Sequence, residues 1–153
     1  DNLAADRVLK VYNIHTGESV KATFFAEGSY QAEELQRLDR VLRDHRNGEI
    51  NAINRALYDR IFLLQQQLDA KSGIHLISGY RSPATNEKLR RSSSGVAKKS
   101  QHMLGNAVDI AMPGISHRDL HKAARALRVG GVGYYPKSGF VHLDCARTRY
   151  WVG

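Results

Sequence analysis

The spacing of apolar residues changes along this chain, and that change limits the folds it can adopt. Between Gln31 and Leu68 apolar residues recur every three or four positions, as they do on one face of a helix. On either side of this region they fall in short runs that end in turns, which is typical of strands. Because helical and strand patterns do not alternate regularly, the order predicts an α+β fold and not an alternating parallel sheet.

The individual elements follow from the same spacing. The sequence predicts a hairpin over 7–25, helices over 31–46, 53–68, 85–91 and 117–127, strands over 74–78 and 107–112, a polar loop over 91–101, and a last hairpin that turns at 137–139 and returns over 140–144. No internal repeat or linker interrupts the chain. We therefore predict one domain over residues 1–153, in which residues 1–30 form an N-terminal hairpin extension.

Composition narrows the class of partner. The formal net charge of +8 and the pI near 9.8 favour a polyanionic partner such as nucleic acid, an anionic membrane surface or the cell wall. The basic residues are spread over the whole length without a nucleic-acid motif, so a nucleic-acid binder rests on charge alone and is not expected. No run of about 18 apolar residues occurs, so no integral membrane segment is expected either.

An aspartate in an apolar strand marks the first candidate site. Asp109 lies between Val108 and Ile110, where an unpaired buried charge costs several kcal/mol. A metal ion would compensate this charge, and so would a salt bridge to Arg81. On the residues alone both explanations stand.

Two histidines accompany this aspartate. His102 precedes it by seven positions, and His142 lies in the second apolar strand, between Val141 and Leu143. Catalytic zinc commonly takes three protein ligands from His, Asp and Glu and leaves a fourth position open. The spacing by itself is weak evidence, because a lone strand histidine is more often a hydrogen-bonded core residue.

Three motifs resemble one known family. SGYRS at 78–82, SQHxxGxAxD at 100–109 and GVGYYPxxGFVHLD at 131–144 are similar to the D-Ala-D-Ala peptidase and hedgehog type of zinc fold, and specifically to the small exported murein endopeptidases of Gram-negative bacteria. The resemblance runs from about Ile14 to Trp151. It implies a small antiparallel sheet flanked by helices, a metal held by His102, Asp109 and His142, and a substrate-gripping arginine at Arg81.

The function implied by this resemblance is zinc-dependent hydrolysis of peptide cross-links in peptidoglycan, at bonds that involve meso-diaminopimelate or D-Ala. The implied location is the periplasm or cell envelope, with a signal peptide already removed. The implied substrate is the peptidoglycan peptide stem, the implied further partner is a lipoprotein adaptor, and we expect a monomer. The alternative is a non-catalytic, zinc-containing module that binds the cell wall.

One position departs from the wider family. The resemblance places a catalytic acid or base three residues before the last metal histidine, and that position is Gly139, which cannot transfer a proton. Asp144 is the candidate replacement, because strand alternation puts it on the same face as His142. It could act as the catalytic base together with Arg81, or it could orient His142.

The remaining candidates lie around these motifs. We expect Arg81, Ser100, Tyr134 and Tyr135 to bind substrate, although either tyrosine could belong to the core and Ser100 could instead brace the loop. Gly105 should permit the turn that leads from His102 into the strand. His117 and His121 are predicted to be surface residues. Cys145 follows Asp144 and should point away from His142, which argues against a thiol protease.

Overall fold

The computed structural model describes residues 5–153, and within them the strands form one eight-stranded mixed sheet. The strands are β1 (Arg7–Asn13), β2 (Ser19–Ala26), β3 (Ser29–Tyr30), β4 (Ile74–Ser78), β5 (Ala107–Ala111), β6 (Gly131–Tyr135), β7 (Phe140–Asp144) and β8 (Arg149–Val152). The helices are α1 (Ala32–Val41), α2 (Arg55–Gln67), α3 (Pro83–Ser92) and α4 (His117–Ala126). The predicted α+β class is confirmed.

The sheet is larger and more mixed than the small antiparallel sheet that was expected. Its strand order is β3-β2-β1-β4-β5-β7-β6-β8. The inner strands β4, β5, β7 and β6 are antiparallel, as expected. The N-terminal hairpin extends this inner sheet through parallel pairing of β1 with β4, and β8 extends the other edge through parallel pairing with β6.

Alternation along the inner strands separates a helix-covered face from a polar face. Val108, Ile110, Val141 and Leu143 are almost fully buried on the side where α4 packs against β6 and β7. Burial of such a side chain contributes roughly 1.5–3 kcal/mol each. The residues between them point to the other face, so the sheet places Asp109 and its neighbours away from the main core.

The first predicted helix ends earlier than its apolar spacing suggested. It was predicted to run to residue 46, but α1 stops at Val41. The cause lies in Asp44, whose buried carboxylate accepts hydrogen bonds from the backbone N–H groups of Arg46 and Ser82. These bonds draw the chain out of the helix and tie it to the loop that follows β4.

The helices α3 and α4 begin at caps that the sequence encodes. Ser82 caps α3 by accepting from the N–H of Thr85, and Pro83 follows at the first helical position, where no N–H is needed. Ser116 caps α4 by accepting from the N–H of Asp119. None of the helices in residues 5–153 is both long and apolar enough to cross a membrane.

Candidate metal centre

His102, Asp109 and His142 lie together on the polar face of the sheet. Asp109 on β5 and His142 on β7 are direct cross-strand partners. His102 comes from a short 3-10 helix, Gln101–Leu104, that precedes β5. One ligand atom from each of the three lies within 4.8 Å of the others.

The ring of His142 is held between two carboxylates. Its Nδ1 lies 2.9 Å from Oδ1 of Asp109, and its Nε2 lies 2.8 Å from Oδ2 of Asp144. Both distances are those of hydrogen bonds to carboxylates, so the protonated ring donates Nε2–H to Asp144 and Nδ1–H to Asp109, and loss of the Nδ1 proton would free that nitrogen for a metal. The ring therefore presents one nitrogen to the site and uses the other for orientation.

The ring of His102 is oriented by the backbone. Its Nδ1 lies 2.8 Å from the carbonyl oxygen of Gly79, which leaves Nε2 to face Oδ1 of Asp109 at 3.3 Å. Ser100 caps the 3-10 helix by accepting from the N–H of His102. Gly105 ends that helix in the left-handed region, at φ +70°, as the predicted tight turn requires.

Burial and charge act together at these groups. Burial raises the pKa of Asp109, but the neighbouring His102 and His142 rings outweigh it and hold the pKa well below its usual range. Burial lowers the pKa of His142, but its bonds to Asp109 and Asp144 outweigh this and raise the pKa to about 9. The cluster thus keeps a buried carboxylate ionised beside two imidazoles.

This donor set fits a divalent metal ion. Two imidazole nitrogens and one carboxylate oxygen converge from three chain segments, and Asp109 and His102 are only 7% and 4% exposed. Borderline metals such as zinc prefer this combination of ligands. Burial strengthens this inference of a metal site, because exposed acidic groups often cluster without a metal.

Asp144 is fully buried, and both of its oxygens are occupied. Oδ1 accepts from the backbone N–H groups of Gly131 and Ala146 and from Nη1 of Arg149. Oδ2 accepts from Nη2 of Arg149 and bonds His142. Burial raises the pKa of Asp144, but His142 and Arg149 outweigh it and keep the pKa well below its usual range.

Arg81 lies beside the three candidate metal ligands, and it forms no ion pair with an acidic residue of the described part of the chain. Its Nη1 donates to Oδ1 of Asn86 at 3.1 Å and contacts Oγ of Ser100 at 3.5 Å. Its buried Nε has no hydrogen-bond partner within residues 5–153. The sequence left open a salt bridge between Arg81 and Asp109. The structure does not form it, since no ion pair within residues 5–153 involves Arg81.

A cavity of about 450 Å³ opens over the cluster. The polar side of its wall contains Arg81, Lys99 and Ser100, and the apolar side contains Tyr135, Phe140 and Trp151. Asp109 and Asp144 are the acids of its wall among the described residues. The segment 95–97 of the predicted polar loop also lines the cavity.

The two tyrosines predicted to bind substrate are separated by the pleat of β6. Tyr135 lines the cavity and stacks on Phe140, with ring centroids 4.6 Å apart. Tyr134 lies on the helix-covered face, where it stacks on His121 at 4.5 Å. Adjacent strand residues point to opposite faces, so Tyr134 is removed from the substrate-binding candidates.

Two other sequence candidates lie outside the cavity wall. Gly139 sits in the turn between β6 and β7 at φ +83°, a backbone region that favours glycine. Cys145 contacts the buried Arg60, and burial raises the pKa of its thiol, which disfavours a thiolate nucleophile.

Sequence reasoning missed Arg149 and Trp151, which both line the cavity. They alternate with Tyr150 and Val152 on β8, a strand that was not predicted. The alternation was present in the sequence, but four residues that include a charge are a weak strand signal. Pairing with β6 is what makes this segment a strand.

Comparison with known proteins identifies the family. Residues 2–151 match the family model Peptidase_M15_2, described as peptidoglycan L,D-endopeptidase MepK. The chain is 48% identical over 145 residues to peptidoglycan L,D-endopeptidase MepK of Escherichia coli K12, which covers 95% of this chain and 80% of that protein. It is 37% identical over 148 residues to the probable peptidoglycan L,D-endopeptidase MepK of Haemophilus influenzae, which covers 96% of this chain and 80% of that protein.

A search of the solved structures found no match. The family model spans nearly the whole chain, and the two relatives are similar over nearly all of it. The chain therefore belongs to the Peptidase_M15_2 family, that of the peptidoglycan L,D-endopeptidase MepK, which confirms the family inferred from its sequence.

Proposed function

We propose that this protein is a zinc-dependent endopeptidase that hydrolyses peptide cross-links in peptidoglycan at a bond between an L- and a D-configured residue. The observation that carries the proposal is the convergence of His102, Asp109 and His142 at the floor of an open cavity. Family membership and the names of the relatives support the substrate class and the stereochemistry of the bond.

Zinc is the metal we propose for this centre. Two neutral imidazoles and a carboxylate are a common catalytic zinc set, and three protein ligands leave a position for water or substrate. Zinc bound there would polarise the scissile carbonyl and lower the pKa of a bound water toward about 7. The protein supplies the ligand orientation, through Gly79 for His102 and Asp144 for His142.

Arg81 is proposed to bind an oxygen of the substrate beside the metal. Its guanidinium is positively charged, and among the described residues only Nη1 makes side-chain hydrogen bonds, so Nη2 keeps donor capacity for a ligand. Asn86 and Ser100 hold its Nη1, so its orientation is set before substrate arrives. A donor placed in this way stabilises charge that develops on a carbonyl oxygen.

For Asp144 we propose the orienting role in preference to proton transfer. A general base needs a lone pair directed at the reacting water. Both oxygens of Asp144 are already engaged by Gly131, Ala146, Arg149 and His142, and the side chain is fully buried. This supports a carboxylate that fixes His142.

The two sides of the cavity suit different parts of a stem peptide. Lys99 and Arg81 offer positive charge to the free carboxylates of the substrate. Tyr135, Phe140 and Trp151 offer a flat apolar surface to its aliphatic portion and exclude water from the metal side. Ser100 is proposed to reach substrate only through its contact with Arg81.

The same proposal places the protein in the periplasm or cell envelope, where its substrate lies. The net charge of +8 would hold it near the acidic wall. A monomeric state and a lipoprotein adaptor stay predictions.

Digestion of purified sacculi tests the function. The zinc-loaded protein, the chelated protein, a His142→Ala variant and a His75→Ala control would be compared, with released fragments separated by chromatography and weighed by mass spectrometry. His75 lies on β4 outside the cavity wall, next to Tyr12. Cross-linked dimers should disappear only with the zinc-loaded wild type and His75→Ala, and the fragment masses name the bond.

Two results would contradict the proposal. If zinc binds the wild type with the expected ligands but no cross-link is cut, the alternative of a non-catalytic wall-binding module becomes the better account. If chelation leaves the digestion unchanged, the reaction does not use this centre.

A further inference from the structure

Two side chains of β8 cross a neighbouring strand to reach Asp144 and His142 on β7. Strand β6 lies between β7 and β8, so β7 and β8 are about 10 Å apart, twice the usual strand spacing. Side chains at that separation normally do not touch, because the side chain of the middle strand fills the gap. Here Arg149 reaches Asp144, and Trp151 reaches His142.

Glycines on β6 leave room for both crossings. Gly131 pairs with Arg149, and Gly133 pairs with Trp151. A Cβ on Gly131 would lie 2.4 Å from Nη1 of Arg149 and 2.6 Å from Oδ2 of Asp144. A Cβ on Gly133 would lie 2.6 Å from the indole ring of Trp151. The positions of the two glycines therefore match the two crossing side chains.

Arg149 binds the Asp144 carboxylate in a fork. Its Nη1 donates to Oδ1 at 3.0 Å and its Nη2 donates to Oδ2 at 2.9 Å. The guanidinium also lies 4.9 Å from the ring centroid of Trp151, which restricts its orientation further. A planar two-point contact of this kind fixes the plane of the carboxylate, which a single point charge does not.

The fork determines where Oδ2 of Asp144 points, and Oδ2 is the atom that bonds Nε2 of His142. The opposite nitrogen of that ring then faces Asp109. Trp151 contacts the same ring from β8, with centroids 5.2 Å apart and an interplanar angle of 50°. A continuous chain of contacts thus runs from Arg149 through Asp144 to the metal-facing atom of His142.

We propose that Arg149 is a positioning residue of the metal centre, which acts through the Asp144 carboxylate to hold His142 with Nδ1 directed at the metal. The inference rests on the proposed metal site. In this proposal β8 contributes no metal ligand, but its Arg149 fixes the orientation of the ligand His142 on β7.

The test compares Arg149→Gln and Arg149→Lys with the wild type and with Arg147→Gln. Arg147 is a matched control, because it is an exposed arginine on the same segment whose side chain makes no hydrogen bond within residues 5–153. Zinc affinity would be measured by competition with a chelating dye. The visible spectrum of the cobalt-loaded protein reports the ligand arrangement, and kcat and KM would be measured on a cross-linked muropeptide.

Loss of a group that orients a metal ligand typically weakens metal affinity or activity by about tenfold to a hundredfold, and we expect that range for Arg149→Gln. We also expect an altered cobalt spectrum, a fall in kcat that exceeds any rise in KM, and partial rescue in Arg149→Lys. Arg147→Gln should match the wild type. If Arg149 served substrate binding, KM alone would rise and the spectrum would stay unchanged, which overturns the inference.

A second variant covers the case in which Arg149→Gln does not fold. Gly131→Ala keeps the arginine but places a methyl group against both members of the fork. It should reproduce the altered cobalt spectrum, and an unchanged spectrum with unchanged zinc affinity would refute the role of Arg149. Wild-type protein that binds no zinc and cuts no sacculi would instead remove the proposed function on which the inference rests.

Discussion

Nε2 of His142 lies 2.8 Å from the buried carboxylate of Asp144, on the side of the ring opposite Asp109. One histidine therefore joins a candidate ligand to an orienting carboxylate. The sequence left two roles open for Asp144, and this relationship favours orientation. The two roles predict different results for a single conservative substitution.

Asp144→Asn should weaken zinc binding by about tenfold to a hundredfold and lower activity in parallel, because an amide holds the His142 ring less firmly than a carboxylate does. Competition with a chelating dye measures the affinity. Asp119→Asn is the control, since Asp119 is an exposed residue of α4. Complete loss of activity with unchanged zinc affinity and an unchanged cobalt spectrum would show that Asp144 transfers a proton.

Arg81→Gln should lower kcat by about a hundredfold to a thousandfold, the usual loss when a donor to a developing oxyanion is removed. Zinc content should stay at the wild-type level, because the side chain of Arg81 bonds Asn86 and Ser100, and its backbone N–H, which bonds the carbonyl oxygen of His102, is unchanged by the substitution. Steady-state kinetics and metal analysis check both points. Arg91→Gln, on the exposed end of α3, is the control, and equal kinetics for the two variants would contradict the proposed role.

Zinc binding to the chelated protein should release about one proton near pH 7, since the metal must displace the proton of the His142 ring. Bonds to Asp109 and Asp144 outweigh burial and raise the pKa of His142 to about 9, so the ring is protonated at neutral pH. The proton competes with zinc below that pKa, and affinity should therefore rise as pH increases toward 9 and then level off.

Calorimetry in buffers of different ionisation enthalpy measures this proton count. The number of protons released should fall toward zero above pH 9, and the His142→Ala variant should not release this proton. A proton count that is near zero at pH 7 would mean that the His142 ring is already neutral.

Gly105→Ala should destabilise the protein more than Gly114→Ala does. Both glycines have positive φ, so both substitutions carry backbone strain of order 1 kcal/mol or more. A Cβ at Gly105 would also lie 2.3 Å from the carbonyl oxygen of Ala52, whereas a Cβ at Gly114 meets no atom within 4 Å. Urea unfolding measures the free energy of unfolding of both variants. Equal decreases in the two variants would show that the backbone near Ala52 moves to accommodate the new Cβ without a loss of stability.

Binding to sacculi should weaken as salt is added, because the net charge of +8 acts through screened electrostatics. The Debye length falls from about 10 Å at 0.1 M salt to about 3 Å at 1 M. Sedimentation of the inactive His142→Ala variant with sacculi measures binding without digestion. If sedimentation does not depend on salt, binding to sacculi depends on contacts in the cavity and not on the net charge.

Much of the fold could be predicted because its signals are local. The strand at 74–78 was predicted at its observed bounds, and α4 within one residue, since apolar spacing and the Ser116 cap lie in the segments themselves. The first helix was predicted too long because its true end depends on Asp44, whose partner Ser82 lies far along the chain.

The residues by themselves determined that a charge at Asp109, inside an apolar strand, needed compensation, and the family motifs named His102 and His142 as its companions. Only the tertiary structure decided that Asp144 is enclosed by Arg149, that Tyr135 and not Tyr134 faces the cavity, and that Gly131 leaves room for the crossing. The physical reason is strand pairing: which side chains meet across β7, β6 and β8 depends on register and strand order, and those are set by non-local contacts that no single segment encodes.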